Sequence, residues 1–148
     1  MYTVRQLMLE RNDTDPWSVS PQSTVLEALE LMAEKNIGAV VVMERGQMLG
    51  IFSERDFARK AIQKGKCSLE TPVEESMTRE MITIHAEQSL EESLMVMTRH
   101  HIRHLPVIDG GRLVGMVSMR DVMEAIISNK DSDIENLENY ILGTEYPR

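Results

Sequence analysis

Shifted by 65 positions, the chain realigns on itself. Residues Thr24 to Ala61 fall on Ser89 to Ile126 without a gap. Ten aligned pairs are identical: Glu27/Glu92, Leu29/Leu94, Met32/Met97, Ile37/Ile102, Val42/Val107, Gly46/Gly111, Gly50/Gly115, Ser53/Ser118, Arg55/Arg120 and Asp56/Asp121. Twelve of the remaining 28 pairs set one apolar residue on another, counting Pro as apolar. An internal repeat of this kind governs the whole fold, because each copy must form the same unit and the two must bury their apolar faces together.

Each copy reads as β-α-β-β-α. A short extended piece comes first, Trp17 to Ser20 and Ile82 to His85. A helix follows, Val25 to Lys35 and Leu90 to His100. Leu29, Met32 and Ala33 recur there at helical spacing, as do Leu94, Met97 and Thr98. Thr24-x-x-Glu27 and Ser89-x-x-Glu92 are capping boxes that satisfy the first free amides. The runs Ala39 to Met43 and Leu105 to Ile108 predict strands. Arg45-Gly46-Gln47 and Gly110-Gly111-Arg112 read as hairpin turns. Leu49 to Phe52 and Val114 to Val117 are the returning strands, and helices over Asp56 to Lys64 and Asp121 to Asn129 close the copies.

A unit of about 50 residues is marginal alone. The expectation is therefore an α/β protein of the α+β type, with two repeats packed as a pseudo-two-fold pair sharing one core. The division expected is a first repeat with its lead-in over 1–65, a second repeat with its linker over 66–130, and an acidic tail over 131–148. The linker from Gly65 to Val73 is polar and holds Pro72. In the tail, Ser132-Asp133-Ile134-Glu135 forms a third capping box, and Ile134, Leu137 and Ile141 share one helical face. That face suits either a helix covering the protein's own core or a dimer contact.

Composition narrows the function. With 148 residues and 42% hydrophobic content, a packed core is expected rather than a disordered chain. The net charge of −8 argues against broad binding to nucleic-acid backbones, but leaves a local basic pocket open. No apolar run is long enough to span a bilayer, and Met1 to Glu10 contains no apolar signal region. The single cysteine, Cys67, allows no internal disulfide and reads as a solvated linker thiol. Together these features predict a cytoplasmic protein.

The copies agree best over Gly50-Ile51-Phe52-Ser53-Glu54-Arg55-Asp56 and Gly115-Met116-Val117-Ser118-Met119-Arg120-Asp121. Each segment runs from a strand into a helix, where free amides and the helix dipole favour an anion. A carboxylate there can accept from the two hydroxyls of a ribose, and an adjacent Arg can bind phosphate. The same residues also serve a helix start, Ser as the cap and Asp in the first turn. Capping alone gives no reason for the repeated Arg.

His100, His101 and His104 cluster with Arg99 and Arg103. The helix should end near His101, which places His104 on a strand. No second ligand motif completes a metal site, so rim histidines near a phosphate are the expectation. No phosphate-loop, dinucleotide, nucleophile-elbow or zinc-protease motif occurs, so no catalytic residue is assigned and the chain is expected not to be an enzyme.

The doubled Gly-x-x-Ser-x-x-Asp segments, the strand Leu105-Pro106-Val107-Ile108-Asp109 and the lead-in Val73-Glu74-Glu75-Ser76-Met77-Thr78 resemble tandem CBS-domain proteins, also called Bateman modules. The resemblance runs from Val4 to Asn129 and is to the short stand-alone bacterial type. It implies binding of an adenosine nucleotide (AMP, ATP or NAD) in clefts between the repeats, without a catalytic cofactor. It implies that Asp56 and Asp121 hold the ribose, with Ser53 and Ser118 near ribose or α-phosphate. Ile51 and Met116 would line the base, and Trp17 and Ile82 would flank it. Arg55, Arg120, Arg103 and His104 are the implied phosphate contacts. Gly38, Ala39 and Pro106 complete the candidate set. Gly38-Ala39-Val40-Val41 lacks the basic pair and the Pro of Arg103-His104-Leu105-Pro106, so the two clefts are expected to be inequivalent.

The resemblance also implies a homodimer. Two other functions compete with a nucleotide sensor: a protein-interaction scaffold with vestigial pockets, and a hydrolase or transferase acting on nucleotides. A regulated partner protein is expected in the first two cases and is not named by the sequence.

Overall fold

The structure is a computed structural model and describes residues 2–11, 16–64 and 68–141. The order is α1 (Val4–Arg11), β1 (Ser18–Val19), α2 (Val25–Lys35), β2 (Ala39–Glu44), β3 (Gln47–Ser53), α3 (Glu54–Lys64), a single tight turn Val73–Glu75, β4 (Ile84–His85), α4 (Leu90–His100), β5 (His104–Asp109), β6 (Arg112–Ser118) and α5 (Met119–Ile141). The strands form two three-stranded sheets, β1-β2-β3 and β4-β5-β6. In each, the first pair is parallel and the second antiparallel.

The repeat extends to fine structure. Thr24 and Ser89 accept the amides of Glu27 and Glu92, as the capping boxes predict. Both helices end on a left-handed residue, Asn36 and His101. Both hairpins turn through two consecutive positive-φ residues, Arg45-Gly46 and Gly110-Gly111, which matches the twist of the flanking strands. Each hairpin also carries a register shift at the same place, Val42/Met43 and Val107/Ile108.

The repeats are joined by exchange of their lead-ins. Val4 and Leu7, which precede the first repeat, pack with Ile84, Leu90, Met97, Leu105 and Val117 of the second. Val73 and Met77, which precede the second repeat, pack with Val25, Met32, Val40, Val42 and Phe52 of the first. Backbone bonds repeat the exchange. Val4 N–H donates to the Gln88 carbonyl, and Val73 N–H to the Ser23 carbonyl. The buried interior thus consists of two apolar clusters, each completed by the other repeat's leading segment.

Two elements differ from the sequence expectation. α1 is a helix where the sequence suggests only a lead-in. α5 does not stop at Asn129 but runs unbroken to Ile141, because no Gly or Pro falls between Asp121 and Ile141 to end it. Ile134, Leu137 and Ile141 are exposed on it, so that face does not cover a core within one chain. Cys67 and the tail beyond Ile141 lie outside the described residues. No described helix is long and apolar enough to cross a membrane.

Candidate functional site

Each repeated Gly-x-x-Ser-x-Arg-Asp segment ends a hairpin strand and starts a helix. Ser53 Oγ accepts the Asp56 amide at 3.1 Å, and Ser118 Oγ accepts the Asp121 amide at 3.1 Å. The serines are therefore helix caps, and each still presents an oxygen beside its carboxylate.

The two carboxylates have different partners. Asp56 Oδ2 lies 3.4 Å from the Thr78 hydroxyl, a long contact. Asp121 Oδ2 accepts the Ser118 amide at 3.1 Å and lies 2.7 Å from Arg11 Nη1. The edges of the returning strands differ in the same way. At Ile51 the edge is closed by Thr78, with backbone bonds in both directions. At Met116 the carbonyl accepts from Arg11 Nη2 at 3.3 Å.

One cleft opens around Asp56. It brings Ile51, Ser53, Arg55 and Asp56 of the first repeat against Ile82, Arg103, His104 and Pro106 of the second. The cleft has a volume of about 130 Å³, below the roughly 300–1,000 Å³ of sites that enclose a drug-sized ligand, and it is open to solvent at its mouth. Its walls divide by chemistry. Ile51, Met81, Ile82, Ile102 and Pro106 are apolar, whereas Arg55, Arg59, Arg103 and His101 can face an anion. Thr78 and Glu80 complete the lining.

His104 sits at the junction of the repeats. A Cβ on Gly38 would lie 3.2 Å from its Cε1 and 3.3 Å from its Nε2, so Gly38 gives the ring its room. Burial pushes the imidazole below its ordinary range. Asp121 opposes this, Arg103 adds to it and Asp56 opposes it. The ring thus feels both repeated carboxylates.

The remaining candidates lie elsewhere. Ala39 is buried in β2. Trp17 is half exposed, with Lys35 Nζ 4.4 Å from its ring centroid. Met116 pairs with Pro106 across the second sheet. Arg120 turns outward to Glu124, 3.0 Å away. Arg59, Glu80 and Met81 also line the cleft and belong to neither repeated motif. Arg59 follows Arg55 by four residues on α3, so helical spacing could have found it. Glu80 and Met81 lie outside the aligned repeat and carry no such signal.

The comparison with known families decides what this architecture is. The CBS-domain profile matches the chain twice, over residues 4–62 and 73–128. The chain belongs to the CBS-domain family. It is a tandem CBS pair, and the exchange of lead-ins is how its two repeats are joined. The mitochondrial CBS domain-containing protein CBSX3 of Arabidopsis thaliana is 38% identical over 125 residues, which covers 81% of this chain and 61% of that protein. The chain therefore spans less than two-thirds of that relative. The structure of a protein with CBS domains from Burkholderia ambifaria is 38% identical, with TM-score 0.80, covering 85% of this chain and 94% of that one. The CBS protein PAE2072 of Pyrobaculum aerophilum, solved complexed with AMP, is 27% identical, with TM-score 0.69, covering 80% and 88%.

Proposed function

We propose that this CBS pair is a non-enzymatic regulatory module that binds an adenosine nucleotide, AMP, ATP or NAD, in the cleft around Asp56. The observation that carries the reading is the union, in one cleft, of an acceptor pair from the first repeat with apolar and cationic groups from the second. Asp56 and Ser53 face the ribose hydroxyls. Ile51, Ile82 and Pro106 hold the base. Arg55, Arg59 and Arg103 meet the phosphates, where Arg gives paired donors to a planar or tetrahedral anion. The AMP complex of the related Pyrobaculum protein supports the ligand class.

A ligand that touches both repeats stabilises the arrangement in which both contacts are made. Its effect on a partner protein is limited by its differential affinity for the two arrangements. In this reading the module works in the cytoplasm as a homodimer. Met123, Ile127, Ile134, Leu137 and Ile141 are exposed along α5 at three-, four- and seven-residue spacings, which suit a facing helix of a second copy. The same stripe favours the second reading, a scaffold that binds another protein without a nucleotide.

A thermal-shift panel of AMP, ADP, ATP and NAD separates the two. A ligand at 100 times its Kd adds about 2.7 kcal/mol, which for a chain of this size raises Tm by roughly 5–10 °C. A shift lost in Asp56→Ala supports the sensor. A flat panel from protein stripped by unfolding and refolding supports the scaffold.

A further inference from the structure

We propose that the second cleft, around Asp121, is held shut by the chain's own first helix, with Arg11 as an internal occupant that a ligand must displace. This rests on the reading of the two repeated segments as nucleotide clefts, and it assigns them different states.

The pseudo-two-fold relation supplies the comparison. Met77 packs on Gly50, where an added Cβ would lie 2.7 Å from its sulfur. Met8 packs on Gly115, where an added Cβ would lie 2.5 Å from its methyl carbon. The two lead-ins thus arrive at equivalent glycines, and beyond them they part. After Met77 the backbone is extended. Thr78 bonds to Ile51, and the chain moves on to line the Asp56 cleft. After Met8 the chain stays helical to Arg11. That extra turn carries a guanidinium onto Asp121 at 2.7 Å and onto the Met116 carbonyl at 3.3 Å.

A ribose needs the Asp121 carboxylate as an acceptor, and here its Oδ2 and the neighbouring Met116 carbonyl are both engaged by the Arg11 guanidinium. The ion pair is partly shielded, with side-chain exposures of 27% and 34%, so solvent screens it less than a surface pair. The latch has a weak anchor on one side. Leu9 is exposed, and the helix spans only eight residues, short enough to fray without its tertiary contacts. Repeat one is therefore the open cleft, and repeat two opens only when the end of α1 lets go.

Two readouts test this, one of which needs no nucleotide. In a Cys67→Ser background, Ser118→Cys and Ser53→Cys are labelled with a nitrobenzoate disulfide. Arg11→Ala should speed labelling at position 118 by about tenfold, through local opening, and leave position 53 unchanged. Leu9→Ala, on the same helix but outside the latch, should change neither. Equal or absent acceleration at the two positions overturns the latch, as does acceleration by Leu9→Ala.

Titration with AMP is the second readout. The wild type should take one equivalent, lost in Asp56→Ala. Arg11→Ala should take a second, lost in Asp121→Ala. Two tight equivalents in the wild type overturn the proposal. So does a single equivalent, or weaker binding, in Arg11→Ala. If no variant binds AMP, the nucleotide reading fails while the labelling still decides whether Arg11 closes the cleft.

Discussion

His104 lies between the two repeats and feels charges from both. Its folded pKa lies below the ordinary imidazole value because burial outweighs Asp121 and Asp56, with Arg103 acting in the same direction as burial. The folded protein therefore binds fewer protons here than the unfolded chain. The resulting contribution to stability is fully present above the unfolded pKa of about 6.5 and is lost as pH falls through the folded value. Denaturant titrations from pH 7.5 to 5 should show the wild type losing stability more steeply than His104→Gln. Parallel slopes would mean that His104 is not the group responsible. The two glycines offer a second residue-level comparison. A Cβ at Gly50 would meet the Thr78 carbonyl at 2.8 Å as well as the Met77 side chain. At Gly115, among the described residues, it would meet only the flexible end of Met8. Gly50→Ala should therefore lower Tm clearly more than Gly115→Ala, because a bonded backbone yields less readily than a methionine tip.

At the scale of elements, the repeated caps are the clearest link from sequence to structure. Thr24→Ala and Ser89→Ala each remove the acceptor for an orphan helix amide and should cost about 1 kcal/mol by denaturant titration. The larger loss is expected at Ser89, which is buried. A cost near zero at both would show that packing alone sets the starts of α2 and α4. The capping boxes, the β-branched runs and the hairpin glycines were all legible because they act within a few residues. The boundaries of α2 and α4 follow from them without correction. What was not legible depends on distant contacts. α1 has no apolar periodicity strong enough to announce a helix. It forms because Val4 and Leu7 find the core of the second repeat, which begins at Ile84, 77 residues beyond Leu7. The continuation of α5 was hidden by a Ser-x-x-Glu pattern that also fits a helix interior. The site divides in the same way. Ser53 and Asp56 stand out by repetition, and Arg59 follows by helical spacing. Arg11 shows nothing in sequence to connect it with Asp121.

At the scale of the whole molecule, the exchange of lead-ins makes each repeat depend on a segment outside it. Leu7→Ala should destabilise by about 2–3 kcal/mol, and hydrogen exchange should rise in β4, β5 and β6 rather than in the sheet of the first repeat. Val73→Ala should do the reverse. Uniform loss of protection in both variants would mean that the two clusters unfold as one. Thr78 borders Asp56 and its neighbour Met77 belongs to the cluster of the first repeat, while the same segment runs on into β4 of the second. The central claim is that the Asp56 cleft binds an adenosine nucleotide. Isothermal titration of stripped protein with AMP, ATP and NAD, repeated on Asp56→Ala, tests it most directly. The account predicts saturable binding of at least one of the three, weakened at least about tenfold by Asp56→Ala, the loss expected from one charge-assisted contact. Binding that Asp56→Ala leaves unchanged, or no binding of any of the three, would contradict it.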